Sequence, residues 1–218
     1  LAIDIDGTMS NTDGVYAQQV ARYLKPVKWL FKDNNEFLFS HWIVQKMETP
    51  VSFFYGLPDR LGFDKQITRF NEWRYNRRKK QKENLHLIID GVQETLEALA
   101  DHFQMASVTT RSERRAMGFL EHFDLTHWFE AIASSLTVER MKPEPDPIYW
   151  VAERLGVSAE NILMVGDTTF DILAGKRAGA QTVGVLSGFG EERELREAGA
   201  DLILPSIADL PDYLFSRQ

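Results

Sequence analysis

The sequence predicts an α/β protein in which a mostly parallel sheet carries helices on both faces, with an α-helical cap inserted after the first strand. From Gly91 onward, short apolar runs typical of buried strands alternate with stretches of helical periodicity. Three predicted helices end at a glycine, the residue that most readily closes a helix: Gly156, Gly179 and Gly199. Such alternation favours a parallel sheet that binds ligands at the carboxyl ends of its strands.

The predicted elements follow one another regularly along the chain. Six apolar runs have the length of strands: residues 2–6, 105–109, 131–136, 161–165, 182–186 and 202–204. Five helices are predicted between and after them: residues 92–102, 113–123, 146–155, 171–178 and 191–198. In the first of these helices, Val92, Leu96 and Leu99 recur at the spacing of one helix face.

Residues 15–89 interrupt this rhythm. They are rich in aromatic residues, among them Trp29, Trp42 and Trp73, and they show no strand–helix alternation. We therefore expect residues 1–14 and 90–218 to form the catalytic core and residues 15–89 to form a helical cap. A unit inserted directly after the first strand would cover the end of that strand as a lid.

Composition narrows the class of protein. The chain has 218 residues, 44% of them hydrophobic, and a formal net charge of -7, which disfavours nucleic acid as the main partner. The absence of cysteine excludes disulfides, thiolate metal sites and a cysteine nucleophile. No apolar run approaches the roughly 18 residues of a membrane span, so we expect a soluble, cytoplasmic protein. Nothing in the sequence specifies an oligomeric state.

Four aspartates mark the ends of two predicted strands. Asp4 and Asp6 end the first strand, Asp167 follows the strand 161–165, and Asp171 comes four residues later at a helix start. If these strands are neighbours, the carboxylates crowd one space and raise one another's pKa unless a cation is present. Oxygen ligands of this kind suit a hard divalent metal, and metal with aspartate suggests phosphate chemistry.

Two further polar features occupy equivalent positions. Thr109 and Thr110 end the strand 105–109, and Lys142-Pro143 follows the strand 131–136. A threonine hydroxyl and a lysine ammonium at the carboxyl edge of a sheet are suited to binding phosphoryl oxygens. Each residue also has an ordinary alternative: Asp171 as a helix N-terminal carboxylate, Lys142 as a surface lysine, and the threonines as strand-end residues.

The ordered set Asp4-Ile5-Asp6-Gly7-Thr8, Thr109, Lys142-Pro143 and Gly166-Asp167-x-x-x-Asp171 resembles the four motifs of the haloacid dehalogenase-like hydrolases. The resemblance covers nearly the whole chain. Residues 171–179 and the insert are most similar to the subgroup that contains phosphoglycolate phosphatase and β-phosphoglucomutase. This resemblance implies a Rossmann-like core with a helical cap and a magnesium-dependent phosphatase acting on a small phosphorylated metabolite.

The resemblance also implies roles for individual residues, and these agree with their chemistry. Asp4 is expected to be the nucleophile that forms an aspartyl-phosphate, and Asp6 the general acid and base. Mg²⁺ is expected on Asp4, the Asp6 backbone carbonyl and Asp167, with Asp171 acting through water or orienting neighbours, which leaves the Asp6 side chain free. The residues expected to bind the phosphoryl group are Gly7, Thr8, Thr109, Thr110 and Lys142.

Several alternatives stay open. A sugar phosphomutase of the β-phosphoglucomutase type is the nearest, and a non-catalytic phospho-acceptor module shares the acidic site, the threonine and the Lys-Pro pair. A Schiff-base lysine in the cap would indicate phosphonate cleavage. The basic run 74–82 is expected to be a solvated helix face, with recognition of an anionic substrate or a nucleic-acid end as the alternative.

Overall fold

A computed structural model of the chain describes residues 1–11 and 87–216. The chain divides into a unit of Leu1–Ser10 with Ile88–Gln218 and a unit of Asn11–Leu87. The predicted cap lies outside the described residues apart from residues 87–89, as do its tryptophans and the basic run 74–82. The helical cap and its boundaries therefore stay predictions.

The described strands form one six-stranded sheet. In chain order they are β1 (Ala2–Ile3), β2 (Ala106–Val108), β3 (Ala131–Ala133), β4 (Leu163–Gly166), β5 (Gln181–Val185) and β6 (Leu202–Leu204). All neighbouring pairs are parallel, and the spatial order is β3-β2-β1-β4-β5-β6. The prediction of an α/β fold with a parallel sheet is confirmed, and β1 lies between β2 and β4.

Five helices of the described residues lie between these strands, close to their predicted positions, and a sixth follows β6. They are α1 (Val92–Ala100), α2 (Glu113–His122), α3 (Asp146–Leu155), α4 (Thr169–Ala178), α5 (Glu192–Glu197) and α6 (Leu210–Phe215). The sequence analysis missed α6 and three 3₁₀ turns, Thr126–Trp128, Ala159–Asn161 and Ile207–Asp209. No helix in the described part of the chain combines the length and apolar character that crossing a membrane requires.

Two apolar clusters, one on each face of the sheet, form the core. Ile3 and Val165 belong to a cluster with residues of α1 and α2, whereas their neighbours Ala2 and Met164 belong to a cluster with residues of α3 and α4. This switch occurs because successive strand residues point to opposite faces. Both faces of the sheet are therefore covered by helices, as predicted.

The first strand is shorter than the predicted range 2–6. Asp4 still donates its backbone N–H to the carbonyl of Val165 at 2.9 Å, but the chain then enters a turn at Gly7, whose φ of +71° favours glycine. Beyond the turn, Ser10 forms an antiparallel bridge with Ile88. The chain thus leaves and re-enters the core unit beside the carboxyl end of β1.

Candidate active site

Three of the four predicted aspartates meet at the carboxyl edge of the sheet. Asp4 follows β1, Asp167 follows the neighbouring strand β4, and Asp171 lies in the first turn of α4. One carboxylate oxygen from each residue lies within 4.8 Å of the other two, and all three residues are buried. The convergence expected from the sequence is present for these three side chains.

Lys142 binds two of the three aspartates of this cluster. Its Nζ donates hydrogen bonds to Asp4 Oδ1 at 2.8 Å, to Asp171 Oδ1 at 2.6 Å and to the carbonyl of Val108 at 2.8 Å. The residue is only 4% exposed, so the alternative of a surface lysine does not describe it. The peptide bond that joins it to Pro143 is cis.

Burial and like charge make Asp4 unusual. Desolvation, with smaller contributions from the charges of Asp171 and Asp6, raises the pKa of Asp4 to about 7, although Lys142 acts in the opposite direction. Burial alone would lower the pKa of Lys142, but the Asp171 and Asp4 carboxylates outweigh it and hold that pKa above its usual value. The lysine therefore stays charged beside the Asp4 and Asp171 carboxylates.

Asp171 has two functions in the structure. Its Oδ2 accepts hydrogen bonds from the backbone N–H of Thr168 at 3.0 Å and from the Thr168 hydroxyl at 2.6 Å, which forms a capping box at the start of α4. Its Oδ1 binds Lys142. Asp171 is therefore both the carboxylate at the N-terminus of α4 and a member of the acidic cluster. A Cβ at Gly166 would lie 2.3 Å from Asp171 Cγ, so the side chain needs a glycine beside it.

Asp167 is enclosed by the loop that follows β5, which the sequence analysis did not connect with the site. Its Oδ2 accepts a hydrogen bond from the backbone N–H of Phe189 at 2.8 Å. A Cβ at Gly7 or at Gly188 would lie 2.0 Å from that same oxygen, and a Cβ at Gly190 would lie 2.0 Å from the Asp167 carbonyl oxygen. The signal that could have identified this loop is the pair of glycines in Gly188-Phe189-Gly190, directly after a strand.

The Asp6 carboxylate lies outside the acidic cluster, and Arg111 holds it. Its Oδ2 accepts from Arg111 Nε at 2.8 Å and its Oδ1 accepts from Arg111 Nη2 at 2.6 Å. Because β1 ends at Ile3, strand alternation does not reach Asp6, and the bidentate contact with Arg111 holds its carboxylate. The sequence analysis missed Arg111, whose only signal was a cation two residues after Thr109.

The predicted phosphate-binding residues differ in their surroundings. Thr109 is buried, and its hydroxyl accepts a hydrogen bond from the backbone N–H of Arg111 at 3.1 Å, whereas Thr110 is exposed. Thr8 is fully buried, and its hydroxyl makes no hydrogen bond within residues 1–11 and 87–216. Gly7 provides the turn that lets the chain pass close to Asp167. The roles of these residues toward phosphate stay predictions.

The cluster has the donor chemistry of a site for a hard cation. The contributed atoms are carboxylate oxygens, and the chain contains no cysteine that would favour a softer metal. Burying three carboxylates close together is costly unless positive charge compensates them. The residues present therefore fit a divalent cation such as Mg²⁺.

Comparison with known proteins agrees with the family indicated by the motifs. The parallel strands bring buried carboxylates and a lysine to one edge of the sheet. The chain is therefore an α/β protein with an acidic site at the carboxyl ends of its strands. Residues 1–185 match the haloacid dehalogenase-like hydrolases, and the chain belongs to this family.

Individual relatives are similar over part or all of the chain. The pyrophosphatase PpaX of Halalkalibacterium halodurans is 37% identical over 57% of this chain and 59% of its own length. A phosphoglycolate phosphatase of Haemophilus influenzae is 30% identical over 60% of this chain and 59% of its own length. The match therefore spans less than two thirds of these relatives. A HAD family hydrolase from Deinococcus radiodurans R1, solved with bound phosphate and sodium, is 26% identical with a TM-score of 0.68, and the match covers 99% of this chain and 94% of that one.

Proposed function

We propose that this protein is a magnesium-dependent phosphatase that hydrolyses a small phosphorylated metabolite through an aspartyl-phosphate on Asp4. The observation that carries the proposal is the buried ammonium of Lys142, hydrogen-bonded to both Asp4 and Asp171 within the acidic cluster. A phosphoryl group entering such a site meets a carboxylate nucleophile and a fixed positive charge together. The names of the relatives, a pyrophosphatase and a phosphoglycolate phosphatase, support the same reaction class.

The metal would be held by Asp4, Asp167 and the backbone carbonyl of Asp6, with Asp171 beside it. When bound, Mg²⁺ would neutralise charge on the phosphoryl oxygens and on the acidic cluster. The solved relative from Deinococcus radiodurans contains phosphate and sodium, which supports an anion and a cation at a site of this family.

Asp4 is suited to attack phosphorus through Oδ2. Lys142 binds Oδ1, and no hydrogen bond to Oδ2 occurs within residues 1–11 and 87–216. Attack forms a bond between Oδ2 and phosphorus and breaks the bond to the leaving oxygen, which takes a proton from Asp6. Water then attacks the phosphorus and gives a proton to Asp6, which releases phosphate and restores the Asp4 carboxylate.

Thr109 and Lys142 would stabilise the phosphoryl group during both displacements. The Thr109 hydroxyl accepts from the Arg111 backbone, so its own proton is available to a phosphoryl oxygen. The Lys142 ammonium is held in place by the Val108 carbonyl as well as by two carboxylates. A donor fixed before the reaction costs no reorganisation when charge moves. Thr8, Thr110 and Gly7 complete the proposed phosphate site.

The proposed substrate is small because the site lies among buried residues and the chain is acidic, with a net charge of -7. We propose that residues 15–89 form a helical cap whose residues choose the substrate. The relatives are named for two different compounds, pyrophosphate and phosphoglycolate, so their names do not single out one substrate. Phosphoglycolate and pyrophosphate are the first compounds to test.

The proposal is tested by screening phosphorylated metabolites with and without Mg²⁺, comparing the wild type with Asp4→Asn. We expect phosphate release only with the metal, and a loss of several orders of magnitude in the variant. Undiminished turnover by Asp4→Asn would remove the nucleophile assignment. Isomerisation of a sugar phosphate without net phosphate release would replace the phosphatase by a mutase.

A further inference from the structure

Arg111 is held rigidly at the carboxyl end of β2. Its backbone N–H donates to the Thr109 hydroxyl at 3.1 Å, and its carbonyl accepts from the backbone N–H of Ser135 at 2.9 Å. The residue is 8% exposed, and its guanidinium carbon lies 5.2 Å from the centre of the Phe119 ring. A buried arginine fixed through its backbone and its side chain presents donors in a defined direction.

Those donors point toward Asp6. Nε and Nη2 each bond one carboxylate oxygen, at 2.8 Å and 2.6 Å, and Nη2 also donates to the Ser10 hydroxyl at 3.0 Å. A guanidinium fork that binds both oxygens fixes the plane of the carboxylate as well as its position. A lysine at the same place would offer a single point of charge and would leave the carboxylate free to rotate.

The backbone alone does not fix the Asp6 side chain, because β1 ends three residues earlier and the Gly7 turn follows directly. The Asp6 side chain is also 28% exposed, so packing does not enclose it. Its orientation must come from specific side-chain contacts. Proton transfer requires the acid within hydrogen-bond reach of the leaving oxygen, and a misplacement of about 1 Å can cost about 100-fold in rate.

We infer that Arg111 is a positioning residue that holds the Asp6 carboxylate at the angle from which it exchanges a proton with the leaving oxygen. This inference rests on the proposed phosphatase function, in which Asp6 is the acid and base. Arg111 acts through Asp6, so its contribution depends on how much the departing group needs a proton. A purely structural ion pair would affect every substrate alike.

The test compares an alkyl phosphomonoester that the wild type hydrolyses with p-nitrophenyl phosphate, whose leaving group departs without a proton. Because hydrolysis of the aspartyl-phosphate also uses Asp6 and is common to both esters, the comparison uses kcat/KM, which reports only the first displacement. For Arg111→Met we expect kcat/KM on the alkyl ester to fall about 100-fold. On p-nitrophenyl phosphate we expect kcat/KM to fall by at most about threefold. Arg111→Lys should lie between the wild type and Arg111→Met on the alkyl ester, and Arg111→Met added to Asp6→Asn should cause little further loss.

Two controls separate this effect from general damage. Ser10→Ala removes one bond of the guanidinium but leaves both bonds to Asp6, so it should change the ratio of the two rates much less. Arg196→Met breaks an exposed pair with Glu192 and should leave both rates unchanged.

Equal losses of kcat/KM on the two esters would overturn the inference, because Arg111 would then support the fold or phosphate binding. If Arg111→Met does not fold, the ratio measured for Arg111→Lys decides by the same criterion. Wild-type protein that releases phosphate from neither ester would defeat the proposed function itself, and this inference with it.

Discussion

Lys142 binds two carboxylates and a carbonyl inside the protein, and this arrangement makes it the residue on which the site most depends. Each of its three ammonium protons has an oxygen acceptor within 2.8 Å. Removing the ammonium would leave Asp4 and Asp171 buried beside each other without their counter-charge. The two carboxylates would then repel each other, and the Val108 carbonyl would lose its partner.

We therefore predict that Lys142→Met lowers the free energy of unfolding by about 3–5 kcal/mol and lowers kcat by at least about 100-fold. Lys176→Met is the matched control, because Lys176 forms an ion pair with Asp201 in which both side chains are 40% or more exposed. Such a pair contributes about 1 kcal/mol or less. Urea unfolding and steady-state kinetics measure both effects. Equal free energies of unfolding in the two variants would contradict the conclusion that the site depends on Lys142.

The placement of Asp4, Asp167, Asp171 and Lys142 could be predicted because each follows a strand and has a side chain suited to metal or phosphate. Arg111 could not be predicted in this way. Arginine is common on protein surfaces, and the burial of Arg111 depends on Phe119 and on Asp6, which is 105 residues away in sequence. A contact of that separation exists only after β1 and β2 have paired.

The loop after β5 shows how one element positions a side chain of another. Gly188 approaches Asp167 so closely that a Cβ would lie 2.0 Å from its Oδ2 and 2.6 Å from the Gly7 Cα. Neither neighbour can yield easily, since one is a buried carboxylate and the other is backbone. A methyl group at this position must displace the loop, the carboxylate or both.

We predict that Gly188→Ala weakens Mg²⁺ binding by about 10- to 100-fold, because Asp167 would lose its position in the acidic cluster. Gly118→Ala in α2 is the control, since a Cβ there has no heavy atom within 4 Å. That change should leave metal affinity unaltered and should strengthen the helix by up to about 1 kcal/mol. Calorimetric titration with Mg²⁺ measures the affinities, and an unaltered affinity in Gly188→Ala would show that this loop does not position Asp167.

Helices were easier to predict than strand ends. The sequence pattern placed the starts of α1 to α5 within two residues, whereas α6 was not predicted. α5 and α6 are both six residues long, but Gly199 follows α5 as a stop signal and no glycine closes α6. The first strand was predicted too long because apolar residues continue beyond it. Ile5 and Met9 are buried in the core although neither belongs to a named strand. The spacing of apolar residues indicates which side chains are buried and does not show where strand pairing ends. At this turn the side chains stay buried although the strand has ended.

At the scale of the whole molecule, the alternation of strands and helices was enough to predict the α/β class. It did not specify the order β3-β2-β1-β4-β5-β6, which results from how successive crossovers pack on the sheet. That order matters for the site because it makes β1 and β4 neighbours, although about 160 residues separate them in sequence. The acidic cluster is thus a product of the complete core unit.

Because the cluster forms only in the folded core, we predict that Mg²⁺ stabilises the protein against heat. A ligand that binds only the folded state at 100 times its Kd contributes about 2.7 kcal/mol. The melting temperature should rise by several degrees with Mg²⁺, and Asp167→Asn should abolish most of the rise. Sodium chloride at equal ionic strength is the control. An equal rise in melting temperature with sodium chloride, or an undiminished rise in Asp167→Asn with Mg²⁺, would show that the stabilising cation binds elsewhere.

The most direct test of the central claim is chemical trapping of the acyl-phosphate during turnover. The protein would be quenched while hydrolysing its substrate with Mg²⁺, treated with borohydride, which reduces an aspartyl-phosphate to homoserine, and analysed by peptide mass spectrometry. We predict homoserine at position 4, dependent on both substrate and metal, and none at position 6. Active protein in which Asp4 stays unmodified, or in which reduction occurs at another aspartate, would contradict the account.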